Sequence, residues 1–526
     1  MQGVELRKDT APSTNRPFDT VQIALLVAVL YYAGTKIGFF FKPAGVPISI
    51  FWTPNALLLA AFLLTPKRLW WALLVTVLPA HLLAQLPAGV PVARALGWFA
   101  GNVGEALLGA ICIRYFRRQE RLFDSVRGLI TFLVFGVLVA PLLTSFLDVG
   151  IVRWTGREGG DYWTMWMMRL SSNMIANMSV VPTVWFFGRR GMSWLRKATL
   201  EQWVEACVLA FGVVFVSVLV FNRDYAPATH LPAMVFAPLP FLLWASIRFG
   251  SGALSASILV VVVIASWHEI HGNGLVSSAS TAESVFYLHI LLTLFALPSM
   301  ALAAVISERR RGEELLQGNR NELIHAQEQE RLRIARELHD DLAQQLTLLG
   351  LELGQLRTGL DPSLKSRLQG LHDQLVDISN ATRDLSHELH PFALEYLGLV
   401  AALRNLCRRV SAHNNLTVTF KEQNVPQRLD ASVSLCLYRV TQEALQNITA
   451  QNKAHAVNIE LKVVWGQAWL LIADDGLGLS PEQMYSGNIG LASARERLMG
   501  LNGTLKIMSE PQKGTTIEAS VPLPPS

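Results

Sequence analysis

The sequence predicts a polytopic α-helical membrane domain, then a dimeric four-helix bundle, then a soluble α/β domain. Three observations carry this. Hydrophobic residues make up 51% of 526 and charged ones 16%, with a mean hydropathy of +0.33, so much of the chain must be buried in something other than its own core. The long apolar runs stop near Ile306, and from Ser307 onward the chain is polar and charged. Beyond that boundary a stripe of leucines at helical spacing gives way to short strand-like alternation.

About ten apolar runs approach the ~20 residues that cross a bilayer. They lie near 20–41, 48–65, 69–86, 92–113, 128–147, 165–187, 201–221, 231–247, 252–267 and 284–306. Several are short or interrupted by Pro, which leaves eight as the lower count. Loop charge tests the order. Arg7, Lys8 and Arg16 precede the first run, Lys67 and Arg68 follow the second, and Arg114, Arg117, Arg118 and Arg121 follow the fourth. Arg189, Arg190, Arg196 and Lys197 follow the sixth, Arg248 the eighth, and Arg309 to Arg311 the tenth. These are alternate loops, so the excess of Lys and Arg on cytoplasmic loops puts both termini in the cytoplasm. The net charge of +5 is then a topology signal rather than a nucleic-acid footprint. Cys112, Cys207, Cys407 and Cys436 stand far apart, which predicts reduced, packed thiols. The first run lacks a small-residue cleavage site, so no removable signal peptide is expected.

His81, Asn102, Glu105, Arg169, Asn173, Asn177 and His289 lie inside apolar runs. A charge in lipid costs at least ~2.5–3.5 kcal/mol, so such groups face the bundle interior or a cavity. They act either as helix–helix glue, which is the default, or as a ligand site in which Glu105 pairs with Arg169. His268-Glu269-Ile270-His271 lacks the i, i+4 histidines of a helical zinc site and predicts a polar loop. Trp52-Thr53-Pro54-Asn55, Lys67-Arg68-Leu69-Trp70-Trp71, Gly101-Asn102-Val103-Gly104-Glu105-Ala106-Leu107, Arg248-Phe249-Gly250 with Gly252-Ala253, and Glu308-Arg309-Arg310 resemble the MASE1 family of bacterial membrane sensor domains. The resemblance covers most of residues 20–310 and implies a signal receiver in the bacterial inner membrane.

From Glu308 to about Leu360 the pattern predicts one long helix with few breaks. Leu315, Leu316, Leu323, Ile324, Leu332, Leu338, Leu342, Leu349, Leu353, Leu356 and Leu360 recur at threes, fours and sevens, with no Pro until Pro362. Such a stripe suits a parallel dimer seam. A second amphipathic helix is predicted near Ser366 to His390, after a turn at Gly359 and Asp361-Pro362, and two helices per chain make a four-helix bundle on dimerisation. His339 on the first helix has Asp340 beside it and Gln344 one turn beyond Asp340. A neutral imidazole is a nucleophile near neutral pH, a neighbouring carboxylate orients it, and an amide can position a water. Arg331, Arg333 and Arg336 suit a solvated helix face and an attraction for phosphates equally well. His387 and His390 form an HxxH that no further ligand completes, which predicts bundle surface.

The string from Glu330 to Gln344 resembles the phosphoacceptor segment of sensor histidine kinases that pair with response regulators of the NarL type, a class that includes the hexose-phosphate uptake sensors. The resemblance implies His339 as phosphoacceptor, Asp340 as acid/base partner and Gln344 as phosphatase residue. It also implies a homodimer and a response regulator with receiver and helix-turn-helix domains. Likeness to the hexose-phosphate sensors adds a transporter-like membrane receptor as partner and a sugar phosphate as candidate signal.

Val457 to Leu461, Ala468 to Ala473, Thr504 to Met508 and Thr516 to Val521 alternate like strands. Glu443 and Asn447 share a helix face at i, i+4, where they can hold a magnesium ion and its waters. In Asp474-Asp475-Gly476-Leu477-Gly478, the Asp474 carboxylate can accept from an adenine amino group and the glycines admit close backbone approach. Gly490-Leu491 opens a helix whose amides suit phosphate, and Lys513-Gly514-Thr515 turns between strands. In this order and spacing they resemble the ATPase domain shared by histidine kinases, gyrase, the Hsp90 chaperone and MutL, over residues 430–524. That resemblance implies an α/β sandwich binding ATP and Mg2+, with Asn447 as metal ligand beside Glu443 and Asp474 as adenine reader. Gly476, Gly478, Gly490 and Thr515 fall in the nucleotide loops. The chain departs from the family at Ala450-Gln451-Asn452, where a basic residue, His and Ala are usual, and at Asn488, where Gly is usual. The first departure removes a phosphate contact and predicts weakened catalysis rather than none.

The expected layout is a cytoplasmic segment at 1–19, a transmembrane sensor at 20–306 and a signalling helix at 307–329. A dimerisation and phosphotransfer domain occupies 330–395, and an ATP-binding domain 396–526. The expected activity is that of a protein-histidine kinase without direct nucleic-acid binding. The alternatives are a receptor or transporter whose cytoplasmic part only binds nucleotide, and an ATPase of the gyrase or chaperone type.

Overall fold

The computed structural model describes the chain except for residues 1–16, 44–47, 117–121, 155–160, 191–197, 223–234, 276–280, 357–361, 414–415, 452–453, 479–488, 511 and 524–526. Arg7, Lys8, Arg16, Arg117, Arg118, Arg121, Arg196, Lys197, Asn452 and Asn488, and the turn at Gly359 and Asp361, therefore lie outside the described residues. The chain divides into two compact units, Met1–Glu314 and Leu315–Ser526.

The first unit is helical: α1 (Pro17–Phe40), α2 (Pro54–Leu64), α3 (Trp70–Gln85), α4 (Val92–Phe116), α5 (Val126–Phe132), α6 (Ala140–Trp154), α7 (Tyr162–Arg190), α8 (Leu200–Phe221), α9 (Leu239–Trp244) and α10 (Ser251–Ile270). A wide π-turn at Leu133–Val139 joins α5 to α6 as one apolar rod. The next helix, α11 (Thr281–Arg336), starts in this unit and ends in the other. Among the described residues, seven helical stretches are long and apolar enough to cross a membrane. Each predicted run overlaps a helix among the described residues, the one near 231–247 only from Leu239, but α2 and the Leu239–Phe249 segment are short, and α7 carries Arg169, Asn173 and Asn177. Leu26, Val29, Trp71, Val75, Phe211 and Phe215 point outward and are exposed. Water would not tolerate so continuous an apolar surface, and lipid does.

Polar groups gather inside. Arg169 Nε donates to Asp148 Oδ2 at 2.9 Å, and its Nη2 to Asn102 Oδ1 at 3.1 Å. The expected Glu105–Arg169 pair is therefore corrected. Glu105 instead accepts from the amides of Asn55, Asn173 and Asn177 at 2.8, 2.7 and 3.0 Å and from Thr144 Oγ1 at 3.1 Å. Asp148 escaped notice because the predicted run ended at 147, whereas the helix continues to Trp154 and carries its carboxylate into the bundle. Asn102 also donates to the Tyr31 hydroxyl at 3.0 Å, which lies 3.1 Å from His81 Nδ1. Gly101 makes room for this: a Cβ there would fall 2.1 Å from Asp148 Oδ1.

In the second unit α11 passes through a π-turn at Glu337–Leu342 into α12 (Ala343–Gln355). The expected long helix with few breaks thus carries one π-turn and runs to Gln355. A π-turn inserts an extra residue and rotates the residues beyond it onto another face. The return helix α13 (Pro362–Leu389) runs antiparallel, since Ser386 Oγ donates to Ala335 O at 2.9 Å while Gly350 faces Leu375.

Three further helices, α14 (Phe392–His413), α15 (Ala431–Gln451) and α16 (Ile489–Gly500), pack on a sheet of β1 (Thr417–Gln423), β2 (Ala456–Val464), β3 (Gln467–Asp474), β4 (Thr504–Ser509) and β5 (Thr515–Pro522). The order is β1-β2-β3-β5-β4, with β1 parallel to β2 and the other pairs antiparallel. Alternation sends Val457, Ile459, Leu461, Leu470, Ile472 and Ile517 into one core with Leu403, Leu437, Ala444, Leu445 and Leu498. The result is the expected α/β sandwich. Edge strand β1, Thr-Val-Thr-Phe-Lys-Glu-Gln, was not predicted because none of its residues is buried. Cys407 and Cys436 are buried in this core as free thiols, and burial pushes their pKa values up to about 11 and about 12.

Gly101→Ala is expected to destabilise the detergent-solubilised protein by about 1–3 kcal/mol through overpacking. Gly104→Ala, where a Cβ meets nothing within 4 Å, should leave the thermal midpoint unchanged. Equal midpoints for the two variants would contradict this packing.

Candidate active site

His339 sits in the π-turn Glu337–Leu342, its ring 5.3 Å from that of Phe392 and 6.2 Å from that of His387. Its Nδ1 is buried and has no hydrogen-bond partner among the described residues. His339, Asp340, Gln344, Thr347 and Arg383 line one cavity of about 380 Å³. The structure thus brings the three predicted residues to one wall and adds Arg383 from the opposite helix. Only the register of the hairpin reveals Arg383. Burial, then the positive charge of Arg409, lowers the pKa of the half-buried His387 imidazole. His390, expected on the bundle surface, is 6% exposed, because Phe392 at the start of α14 turns its ring to 5.3 Å from it. Among the described residues no cluster of three or more His, Cys, Asp or Glu with metal-holding geometry is present.

Glu443 and Asn447 lie one turn apart on α15, half-buried, while Ala444, Leu445 and Ile448 of the same helix fill the core. Asn447 Nδ2 is buried without a hydrogen-bond partner among the described residues. That orphaned group is an N–H donor and does not itself attract a cation; the Asn447 Oδ1 and the Glu443 carboxylate are the hard oxygen donors of the kind Mg2+ takes. The residues present therefore fit the implied ion.

Asp474 ends β3, and its Oδ1 accepts from Gly476 N at 2.8 Å. Burial raises its carboxyl above the usual range. Asp475 does the opposite: its Oδ1 takes the backbone amides of Ala456 and His455 at 2.9 and 2.8 Å, and these bonds lower its pKa. It fastens the loop, leaving Asp474 the half-buried one. Gly478 has φ +71°, and Gly514 has φ +84° with room for no Cβ, which would fall 1.9 Å from the Asp474 carbonyl oxygen. The turn before Thr515 thus packs directly on the Asp474–Asp475 backbone, and Thr515 Oγ1 lies 2.9 Å from Ser509 Oγ. Asp474, Gly476, Gly478 and Thr515 converge at one end of the sheet. Gly490 lies in the first turn of α16, and the ten residues before Ile489 are outside the described set. Glu443 and Asn447 stand on the helix packed across β3 and β5. A separate cavity of about 630 Å³, lined by Asp384, Glu388, Arg409 and Gln442, includes neither Asn447 nor Asp474.

One constellation escaped the sequence altogether. Arg439 on α15 is 1% exposed and donates to Glu328 Oε2 on α11 at 3.0 Å, to Gln442 Oε1 at 2.7 Å and to Leu389 O at 2.6 Å. Arg497 on α16 lies 3.3 Å from the other Glu328 oxygen, and Arg320 pairs with Glu496. Burial draws the Arg439 pKa down and the Glu328 carboxylate opposes it. In sequence Glu328 is one of many charges on a solvated-looking helix, and nothing marks it.

An apolar helical unit, a helical hairpin carrying a histidine at a π-turn and a glycine-looped α/β sandwich make up the architecture of a membrane-associated sensor with histidine-kinase-type modules. The chain belongs to the MASE1 family, whose model matches residues 23–310. Residues 330–394 match the histidine kinase family HisKA_3, and residues 432–525 match the histidine kinase-, DNA gyrase B- and HSP90-like ATPases. The histidine-protein kinase/phosphatase DegS of Brevibacillus brevis is 32% identical over 38% of this chain and 53% of its own length. The sensor histidine kinase MctS of Rhizobium johnstonii is 28% identical over 52% of this chain and 64% of its own. The histidine-protein kinase/phosphatase UhpB of Salmonella typhimurium is 30% identical over 55% of this chain and 57% of its own. The chain thus spans between about half and two thirds of these relatives.

Glu328→Ala leaves Arg439 buried without its carboxylate and is expected to cost about 3–5 kcal/mol in the second unit. Converting Glu328 to Leu and Arg439 to Met together should recover most of that loss, as read by thermal denaturation.

Proposed function

We propose that the chain is a dimeric sensor histidine kinase that autophosphorylates on His339 and passes the phosphoryl group to an aspartate of a NarL-type response regulator. The observation that carries this is the single cavity shared by His339, Asp340 and Gln344, within the segment matching histidine kinases. His339 attacks the γ-phosphorus of ATP; a P–N bond forms, the P–O bond to ADP breaks, and the imidazole proton passes to Asp340. Arg383 draws the phosphoryl oxygens toward the same cavity.

Asp474 accepts the adenine amino group, and the loops at Gly476, Gly478, Gly490 and Thr515 let backbone approach the nucleotide. When bound, Mg2+ neutralises charge on the phosphates, and Asn447 with Glu443 would hold it. Ala450, exposed at the end of α15, offers no cation where the family has one, so autophosphorylation is slow rather than absent. Gln344 positions a water against the regulator's phosphoaspartate, a phosphatase step supported by the kinase/phosphatase names of two relatives.

The first unit is a multi-pass membrane domain with both termini cytoplasmic. The loop charges, among them Lys67, Arg68 and Arg114, support that orientation. A sugar phosphate relayed by a transporter-like receptor rests on likeness to the hexose-phosphate sensors alone.

Incubating the full chain in nanodiscs with γ-labelled ATP tests the proposal. An acid-labile label is expected on the wild type and none on His339→Gln, with Asp340→Asn slowed about 10²-fold. Gln344→Ala should keep the label and lose regulator dephosphorylation. Label persisting in His339→Gln, or absent from the wild type in every lipid and ion condition, overturns the assignment in favour of a nucleotide-binding receptor.

A further inference from the structure

We propose that Glu105 is the charged ligand of a site for a small singly charged cation, Na+, inside the first unit. The carboxylate is 1% exposed and is held by neutral groups. Its Oε2 accepts from Asn55 at 2.8 Å, Asn173 at 2.7 Å and Thr144 at 3.1 Å, and its Oε1 from Asn177 at 3.0 Å. Among the described residues no Lys, Arg or His is bonded to it. Arg169 attracts it from α7 but is paired with the second buried carboxylate, Asp148 of α6. Arg94 and Arg114 stand eleven and nine residues away on α4, ~16 and ~14 Å along the helix. A buried charge is paired, coordinates a metal or is neutralised.

The oxygens around Glu105 select the ion. Oδ1 of Asn173 and Oδ1 of Asn177 are buried and have no hydrogen-bond partner among the described residues. Asn177 Nδ2 also donates at 2.9 Å to the carbonyl of Gly136, in the π-turn Leu133–Val139. A half turn of these amides about their last torsion exchanges N–H for oxygen. The carboxylate, two amide oxygens and the Gly136 carbonyl then face one another, an arrangement that a cation between them holds. Thr144 adds a hydroxyl: its one proton has a second acceptor in Ala140 O at 3.0 Å, and a proton given to Ala140 leaves a lone pair toward the carboxylate. Asn55 remains a donor, because its Oδ1 accepts from Trp52 Nε1 at 3.2 Å. One carboxylate cancels one positive charge, whereas a divalent ion leaves an excess in the bundle interior. An all-oxygen set suits a hard cation and not a soft transition metal. The groups lie within hydrogen-bond reach of the carboxylate, so the space suits a small ion. A proton also neutralises Glu105 but gives a partner to at most one orphaned amide oxygen. The ligands belong to α4, α6, α7 and the π-turn, so the ion joins four segments at once.

The test uses the full chain in nanodiscs at constant pH and ionic strength, with choline chloride exchanged for NaCl or KCl. It reads the thermal midpoint and the retention of radioactive Na+. A midpoint that rises saturably with Na+ is expected, with K+ at least tenfold weaker. Glu105→Gln should retain no Na+ and lose the response. Because Glu105 is buried, Thr144→Val is a second variant that keeps the charge and removes one oxygen, and it should weaken Na+ at least threefold even where Glu105→Gln fails to fold. His339→Gln should respond like the wild type, so failure of the kinase assignment and failure of this one are read apart. A midpoint equal in NaCl and choline chloride overturns the proposal, as does one that follows pH but not Na+, which assigns the position to a proton. An Na+ affinity unchanged by Thr144→Val and by a folded Glu105→Gln overturns it as well.

Discussion

A guanidinium removed from water is tolerated only where carboxylate and carbonyl oxygens replace its hydration. Each unit of this chain is organised around one such group. In the first, Arg169 takes Asp148 and Asn102; in the second, Arg439 takes Glu328, Gln442 and the Leu389 carbonyl. Neither arginine can move without exposing a bare charge to a low-dielectric interior, so the helices bearing the partners are held in register. The close approach of Gly101 to Asp148 and the docking of α15 against α11 both arise from that requirement.

The second of these contacts bears on phosphotransfer. Arg439 lies two turns before Asn447 on α15, and Glu328 lies eleven residues before His339 on α11. One ion pair therefore links the helix carrying the proposed metal ligand to the helix carrying the proposed phosphoacceptor. The π-turn at Glu337–Leu342 intervenes on the second of these helices. Without it, the face bearing Glu328 would continue at 3.6 residues per turn; with it, Ala343 and Gln344 are rotated relative to that face. The hairpin partner packs on both sides of the turn: Ala335 before it is fully buried and accepts from Ser386, and Ala343 beyond it is buried as well.

The features legible in the sequence were local. His339, Asp340 and Gln344 are neighbours in the chain, as are Asp474, Gly476 and Gly478, so their residue types and spacing are readable without a fold. Helix and strand positions came from periodicity, except where burial did not impose it, as in β1. Partner choice was not readable. Glu105 and Arg169 are opposite charges on facing helices, yet three amides and a hydroxyl satisfy Glu105 while Arg169 finds a carboxylate just beyond the end of an apolar run. Glu328, Arg383 and the π-turn were hidden for the same reason. They are defined by contacts at long separation or by a shift in helix phase, which no short window records.

Asp474 and Asp475 show how a site can be told from its scaffold when two identical residues adjoin. Asp475 is held below the usual carboxylate range by two backbone amides, so its contribution to stability is present above the unfolded value near ~4 and fades as pH falls through its folded pKa. It acts as structure. Asp474 is displaced the other way by burial, which its bonds to the Gly476 and Thr515 amides only partly offset. Its ionised form is disfavoured in the folded state, so with respect to its charge the fold gains stability as pH falls through the folded pKa. A carboxylate kept in that condition, beside glycines that leave the backbone bare, is stabilised by any ligand that brings a hydrogen-bond donor to it. That is the physical reason behind the proposed assignment of recognition to Asp474, with Asp475 holding the loop.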